Sequence, residues 1–180
     1  MQQRHYRAPP DAVIRRVFEK SQKSLKAVTV PDGLSVSAKA LEALLACPRP
    51  HVASIAFSKT SALRSESIYR ILNWCLPAMV TDIRLPYCVQ VGGVEIDIIA
   101  KLGHKLRALD ISGCIRVSAK HLFMAFGSVL AGAHATTGIE ELIINDHPGI
   151  AEFLVYSSKH PLFAKLQVLH TAIRDQAVFS

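Results

Sequence analysis

An apolar pattern recurs six times along this chain of 180 residues. Each copy reads apolar-x-x-apolar-x-apolar, and the first residues of successive copies lie 27, 28, 26, 33 and 27 positions apart. The copies are Leu25/Val28/Val30, Val52/Ile55/Phe57, Val80/Ile83/Leu85, Leu106/Leu109/Ile111, Ile139/Leu142/Ile144 and Leu166/Leu169/Thr171. Such a period is typical of a solenoid, in which each unit buries its core only by stacking on its neighbours. The spacing therefore predicts about six stacked strand-and-helix units.

Several other features follow the same period. Cys88 and Cys114 each stand eight positions after the start of their copy. A side chain at such a place turns inward where the strand becomes a loop, and it satisfies backbone groups there. Turn-forming residues separate the copies, among them Gly92-Gly93 and His147-Pro148-Gly149. Amphipathic segments with helical spacing follow most copies; they are Leu41/Leu44/Leu45, Ile68/Ile71/Leu72/Cys75, Leu122/Phe126/Val129 and Ile150/Phe153/Leu154.

A doubly wound α/β domain is the rival fold, because it also alternates strands with helices. Its strands are usually continuous apolar runs that are buried on both faces. The strand segments here alternate instead, as in Asp82–Leu85 and Ala108–Ile111. We therefore expect an α/β solenoid with a parallel concave sheet, one face of which is open to solvent, and with helices on the convex face.

Positive charge is concentrated near the N-terminus. Residues 1–26 contain seven Lys and Arg residues against two acidic residues, within a chain whose formal net charge is +7. We expect residues 1–24 to form a basic arm and a capping helix, the helix over about 11–24, and residues 25–180 to form the repeat domain. Arg4, Arg7, Arg15 and Arg16 are candidate contacts for an acidic protein surface, RNA or anionic lipid. The alternative is a solvated helix face.

A second candidate surface is a charged cluster on the open face of the sheet. The strand pattern places Asp82, Arg84, Asp110 and Glu141 there, in the middle units. These side chains are candidates for binding a partner. Because neighbouring strands bring opposite charges together, Arg84 and Asp110 could instead simply neutralise each other.

The sequence offers little for catalysis. The glycines of 127–132 have the spacing of a phosphate loop, but the lysine that would reach the phosphates is missing. The eight histidines lack the usual spacing of metal ligands, and Asp146-His147 reads as part of a turn. We therefore expect a protein that is not an enzyme and has no cofactor or metal. No apolar run reaches the length of a membrane span, and we expect buried, reduced thiols.

The segment LRALDISGCIRVSAKHL, which begins at Leu106, resembles the cysteine-containing class of leucine-rich repeats. Val117, Ser118 and Leu122 stand at the matching places after Cys114. The stretch Val80–Leu122 carries this resemblance best, and Leu25–Leu169 follows it more loosely. F-box adaptors contain such repeats, but no F-box segment is found here.

A narrower resemblance concerns IEELIINDHPGIAEF, which is similar to a late strand and turn of the mitochondrial ATP synthase subunit s (coupling factor B) and distal membrane-arm assembly protein family. Asp146, Pro148, Gly149 and Ile150 meet that turn pattern. The resemblance implies a non-catalytic accessory or assembly subunit of a mitochondrial inner-membrane complex, peripheral on the matrix side. The alternative is a structural protein of a mitochondrial ribosome or its assembly intermediate, with the basic arm on rRNA. An adaptor in protein turnover or in a cytoskeletal assembly is a third possibility.

Overall fold

The computed structural model describes residues 11–21, 24–30, 37–46, 52–59, 64–75, 80–102, 105–128, 138–158 and 165–172. Within these residues, six helices alternate with six strands. The helices are α1 (Asp11–Ser21), α2 (Ala38–Leu45), α3 (Ser65–Cys75), α4 (Gly93–Ala100), α5 (Ala119–Ser128) and α6 (Ile150–Ser158). The strands are β1 (Ala27–Val30), β2 (Ser54–Phe57), β3 (Asp82–Arg84), β4 (Ala108–Asp110), β5 (Glu141–Ile143) and β6 (Val168–His170).

The six strands form one parallel sheet in chain order. The central residues of the six apolar triplets face one another across it, running from Val28 through Ile55, Ile83, Leu109 and Leu142 to Leu169. A doubly wound sheet reverses its strand order at a switch point. The sequential order therefore excludes that rival and confirms the predicted α/β sheet of stacked units.

The core lies between the sheet and the helices. All three residues of the second to fifth triplets are buried, and Val28 and Val30 of the first are buried as well. The sixth unit is different, because Leu169 is 41% exposed and Thr171 is exposed. Within the part of the chain that the structure describes, β6 pairs only with β5, so one edge of the last strand has no neighbour.

Helix α4 corrects the predicted turn at Gly92-Gly93. Gly92 is the residue that caps the helix, and α4 itself begins at Gly93. Glu95, which is 3% exposed, accepts hydrogen bonds from the Gly92 backbone at 2.9 Å and from Ser65 Oγ at 2.6 Å. A β-carbon at Gly93 would lie 2.9 Å from Cδ2 of His121, so the glycine permits close packing of α4 against α5. The two glycines therefore mark the start of a helix rather than a turn.

Successive helices lie next to one another, from α1 against α2 to α5 against α6. A two-pronged ion pair between Glu42 of α2 and Arg70 of α3 links one such pair, with Nη2 and Oε2 3.0 Å apart. Phe18 of α1 packs against the core, and α1 ends at Ser21, earlier than the predicted position 24. Residues 1–10, 22–23, 129–137 and 173–180, which include most of the predicted arm, lie outside the described residues.

Candidate interaction surface

Alternate strand residues form the open face of the sheet, opposite the core. The inward residues of β1 to β5 are buried, whereas the residues between them are mostly exposed or half-buried; in β6 all three residues are exposed. The open face consists of Ala27, Thr29, Ser54, Ala56, Asp82, Arg84, Ala108, Asp110, Glu141, Ile143, Val168 and His170. The predicted positions are therefore confirmed, and the charged residues stand at the centre of this face.

Arg84 of β3 reaches across β4 to β5 on this surface. Its guanidinium donates to Asp82 of the same strand, with Nε and Oδ1 3.0 Å apart, and to Glu141 of β5, with Nη2 and Oε2 2.7 Å apart. Ala108 of β4 lies between Asp82 and Glu141 in the register, and its small side chain lets Arg84 reach across. Hydrogen bonds to Glu141 first, and then to Asp82, raise the pKa of Arg84. The side chains are about one third exposed, so this cluster is held in place yet remains in contact with solvent.

Asp110 does not form the ion pair with Arg84 that its neighbouring strand position suggests. Its Oδ1 instead accepts a hydrogen bond from the Ser112 backbone at 2.9 Å. The reason is local, because Asp110 ends β4 and its short side chain turns back to the following loop. Arg84 therefore pairs with Asp82 and Glu141 but not with Asp110, and these three carboxylates and one guanidinium give the centre of the open face a surplus of negative charge.

Cys88 and Cys114 are buried thiols that tie each unit to the one before it. The sulfur of Cys88 donates to the carbonyl of Phe57, and that of Cys114 donates to the carbonyl of Leu85, both at 3.2 Å. Both side chains are buried, as expected, and neither sulfur is part of a disulfide in the structure. Burial, with a smaller contribution from Cys88, raises the pKa of Cys114. These side chains belong to the framework and present nothing to a partner.

His147 occupies the cysteine position of the fifth unit, which the sequence analysis missed. It stands eight residues after Ile139, as Cys114 does after Leu106, so the common offset was the available signal. The imidazole is 3% exposed, and Nδ1 accepts a hydrogen bond from the Gly149 backbone at 3.2 Å. The buried Nε2 has no hydrogen-bond partner among the described residues. Burial lowers the pKa of His147, and the nearby backbone of Val117 acts in the opposite direction.

A row of left-handed residues follows the carboxyl ends of β2 to β5. The turn ridge, as we call it, consists of Lys59, Tyr87, Gly113 and Asp146, which have φ of 47°, 58°, 63° and 53°. Each of them donates its backbone N–H to a carbonyl of the following unit, as Tyr87 does to Ser112 at 2.6 Å. The ridge therefore extends the hydrogen bonding of the sheet beyond the strands. Sequence reasoning identified turns here but not their common conformation.

Side chains also connect the turn ridge. The Tyr87 hydroxyl donates to Oδ2 of Asp146 at 2.5 Å, a bond that spans two units. Nζ of Lys59 lies 5.8 Å from the centre of the Tyr87 ring, on the other side along the stack. Gly113 lies between Tyr87 and Asp146 in this row. Four units are thus joined through one aromatic ring.

The basic residues of the predicted arm fall partly within the described chain. Arg15 and Arg16 lie on α1 and are exposed, and Arg15 Nε is 2.8 Å from Glu19 Oε1. Arg4 and Arg7 lie outside the described residues. The structure therefore places two of the four predicted basic contacts on a helix next to α2, apart from the charged cluster of the open face.

The described residues hold no group of three or more His, Cys, Asp or Glu side chains that could bind a metal ion. None of the helices that the structure describes has both the length and the apolar character that crossing a bilayer requires. No protein-family model matches the chain, and no curated protein matches it. The family resemblance therefore depends on the sequence motifs alone, and what it implies is a proposal.

Proposed function

We propose that this chain is a leucine-rich-repeat protein of the cysteine-containing class that acts by protein–protein interaction, as an accessory or assembly subunit of a mitochondrial inner-membrane complex. ATP synthase and the respiratory chain are the complexes that the resemblance suggests. In this proposal α1 caps the first unit, and the protein is peripheral on the matrix side. Contacts of α1 with α2, and of Phe18 with the core, support the capping role.

One observation supports the binding role above all. The sheet has a broad open face whose central side chains are fixed by the contacts of Arg84 with Asp82 and Glu141. Preorganised charges lose little freedom on binding, and a surplus of carboxylates selects a basic partner surface. The small residues around them, such as Ala56 and Ser54, would let a partner helix or loop lie close to the strands.

Affinity purification of the tagged full chain from solubilised mitochondria of the source organism tests this proposal. We expect mass spectrometry to find the subunits of one inner-membrane complex. Asp110→Arg reverses a charge on the open face, and we expect it to lose most of the copurified complex. Asp97→Arg makes the same change at an exposed position of α4 and should retain it, provided both variants melt close to the parent chain.

Two results would contradict the proposal. A tagged chain that stays monomeric and cytosolic would exclude a mitochondrial complex. Equal loss with Asp110→Arg and Asp97→Arg would show that the open face has no special part in binding. Melting curves of the two variants distinguish a loss of binding from a loss of the fold.

The second candidate is a structural protein of a mitochondrial ribosome, favoured by the exposed Arg15 and Arg16 of α1 and by Arg4 and Arg7 before it. Phosphate contacts would make such binding steeply dependent on salt. Cosedimentation with ribosomal particles, and RNA crosslinks that map to residues 1–16, would favour this function over the first. Crosslinks elsewhere or none at all would count against it.

A further inference from the structure

Helix α1 has an outward apolar stripe on which none of the described residues packs closely. Phe18 faces the core, whereas Val13 and Val17 are 49% and 53% exposed. The two valines stand four residues apart, so they lie one above the other on a single face of the helix. Among the described residues, this stripe is separate from the contacts of α1 with α2 and with the core.

Cations flank the same stripe. Arg16 and Lys20 line a shallow groove together with Ala12, Val13 and Val17. Neither Arg16 nor Lys20 forms an ion pair with a residue that the structure describes, whereas Arg15 is paired with Glu19. The sequence around them is basic, with seven Lys and Arg residues against two acidic residues in 1–26. The stripe thus combines exposed apolar surface with uncompensated positive charge.

We propose that this face of α1 rests on an anionic phospholipid surface. Val13 and Val17 lie at the boundary of the acyl chains, and Arg16 and Lys20 contact lipid phosphates. The headgroup region of a bilayer offers both chemistries side by side, which is why basic amphipathic helices lie in its plane. This proposal refines the peripheral attachment proposed above, and it rests on that function only for its place in the cell.

The pattern favours lipid over other anionic partners. A helix that docks in a protein groove uses apolar anchors at i, i+3 or i+4, and i+7. Position i+7 from Val13 is Lys20, so the row of anchors stops after one turn. RNA would pair with the cations but would leave the valines in water, because its backbone presents phosphates and sugars. Of these partners, only a membrane surface contacts both the valines and the cations.

The contact is expected to be weak and reversible. Each cation near an anionic surface contributes about fivefold to partitioning, and two valines bury only a small apolar area. Stable residence on a membrane takes a second attachment. In the proposed function, the contact of the open face with a membrane-bound complex supplies it.

Cosedimentation of the full chain with vesicles tests the inference. We expect binding to vesicles of phosphatidylcholine mixed with phosphatidylglycerol, little binding to phosphatidylcholine alone, and weaker binding as salt increases. The paired change Val13→Ser with Val17→Ser should lower partitioning about tenfold, and Arg16→Gln with Lys20→Gln about twenty-five-fold, at about fivefold for each lost cation. Val94→Ser, at a 59% exposed position of α4, and Lys101→Gln are the matched controls and should change nothing.

Three outcomes would overturn the inference. Equal binding to both kinds of vesicle would show that anionic lipid is not selected. No binding to either kind would show that α1 does not contact a lipid surface. Binding that needs Arg16 and Lys20 but tolerates serine at 13 and 17 would indicate phosphate or carboxylate contacts without apolar burial, as on RNA or an acidic protein. Thermal melting of each variant separates these results from loss of the fold.

The test is also distinct from that of the proposed function. Copurification of an inner-membrane complex without vesicle binding would overturn this inference alone. Vesicle binding without a copurified complex would contradict the proposed function and support the lipid contact.

Discussion

The ring of Tyr87 covers Gly113 so closely that a β-carbon on the glycine would lie 2.3 Å from Cδ1 of the ring. Gly113 also has a left-handed backbone, with φ of 63°. Lys59, Tyr87 and Asp146 adopt the same conformation in their own units and carry side chains. Conformation alone does not demand glycine here; the neighbouring ring does.

We expect Gly113→Ala to lower the free energy of unfolding by about 2–3 kcal/mol, because the ring must move in addition to the cost of a left-handed alanine. Urea denaturation measures the change. Gly92→Ala is the control, since its β-carbon would meet Glu95 Oε2 at 3.6 Å and its φ is negative, and it should cost about 1 kcal/mol or less. In a Tyr87→Ala background Gly113→Ala should cost less than in the parent chain, and a fully additive result would contradict the contact.

The hydrogen bond from Tyr87 to Asp146 makes a separate prediction. Tyr87→Phe keeps the ring over Gly113 and removes only the hydroxyl, which donates to Oδ2 of Asp146 at 2.5 Å. Because the acceptor is a carboxylate in a half-buried site, we expect a loss of about 1–2 kcal/mol. A double-mutant cycle with Asp146→Gly, which removes the acceptor and suits the left-handed backbone, isolates the pair, and a coupling near zero would show that the bond does not stabilise the ridge.

His147 should make the stability of the protein depend on pH. Burial lowers its pKa in the folded state, so below about pH 6.5 the unfolded chain binds a proton that the folded chain does not. Its contribution is therefore complete above the unfolded pKa and is lost as the pH falls from there towards the lower folded pKa. The slope from this residue is at most about 1.4 kcal/mol per pH unit.

His147→Cys provides the comparison, because Cys88 and Cys114 hold the same place in their units. The difference between the unfolding free energies of parent and variant, measured from pH 8 to pH 5, removes the effect of the other seven histidines. A difference that does not change with pH would contradict the assignment.

Buried thiols should resist alkylation. Cys75, Cys88 and Cys114 are 0% exposed, and burial raises the pKa of Cys75 to about 12. Since the thiolate is the reactive form, we expect iodoacetamide at pH 8 to leave these three unlabelled in the native protein and to label them in denaturant. Mass spectrometry of peptides distinguishes them from Cys47, and rapid native labelling of Cys114 would contradict the packing.

Much of the fold could be predicted because its main signal is periodic. The triplets gave the six strands and their register, and the alternation within Asp82–Leu85 indicated which residues face solvent. Helix α4 was missed because Ile96, Ile98, Ile99 and Ala100 are all buried, so its sequence lacks the amphipathic pattern that reveals a surface helix. Its two initial glycines then read as a turn.

The candidate site could be predicted only in part. The pattern placed Arg84 and Glu141 on one face of the sheet. Proximity in a sheet does not determine with which carboxylate an arginine forms an ion pair. Arg84 reaches past Asp110 because its side chain is long and Ala108 is small, while Asp110 turns to the Ser112 backbone. Competition among several acceptors depends on distances in three dimensions.

By itself, the sequence determined the period and the inward and outward residues of the strands, since both follow from local spacing, whereas the order of the strands in the sheet came from the structure. Only the tertiary structure decided which side chains from separate units meet. The Tyr87 ring over Gly113 and the hydrogen bond from Tyr87 to Asp146 join residues up to 59 positions apart in the chain. Such contacts arise from the stacking of whole units, so no local pattern records them.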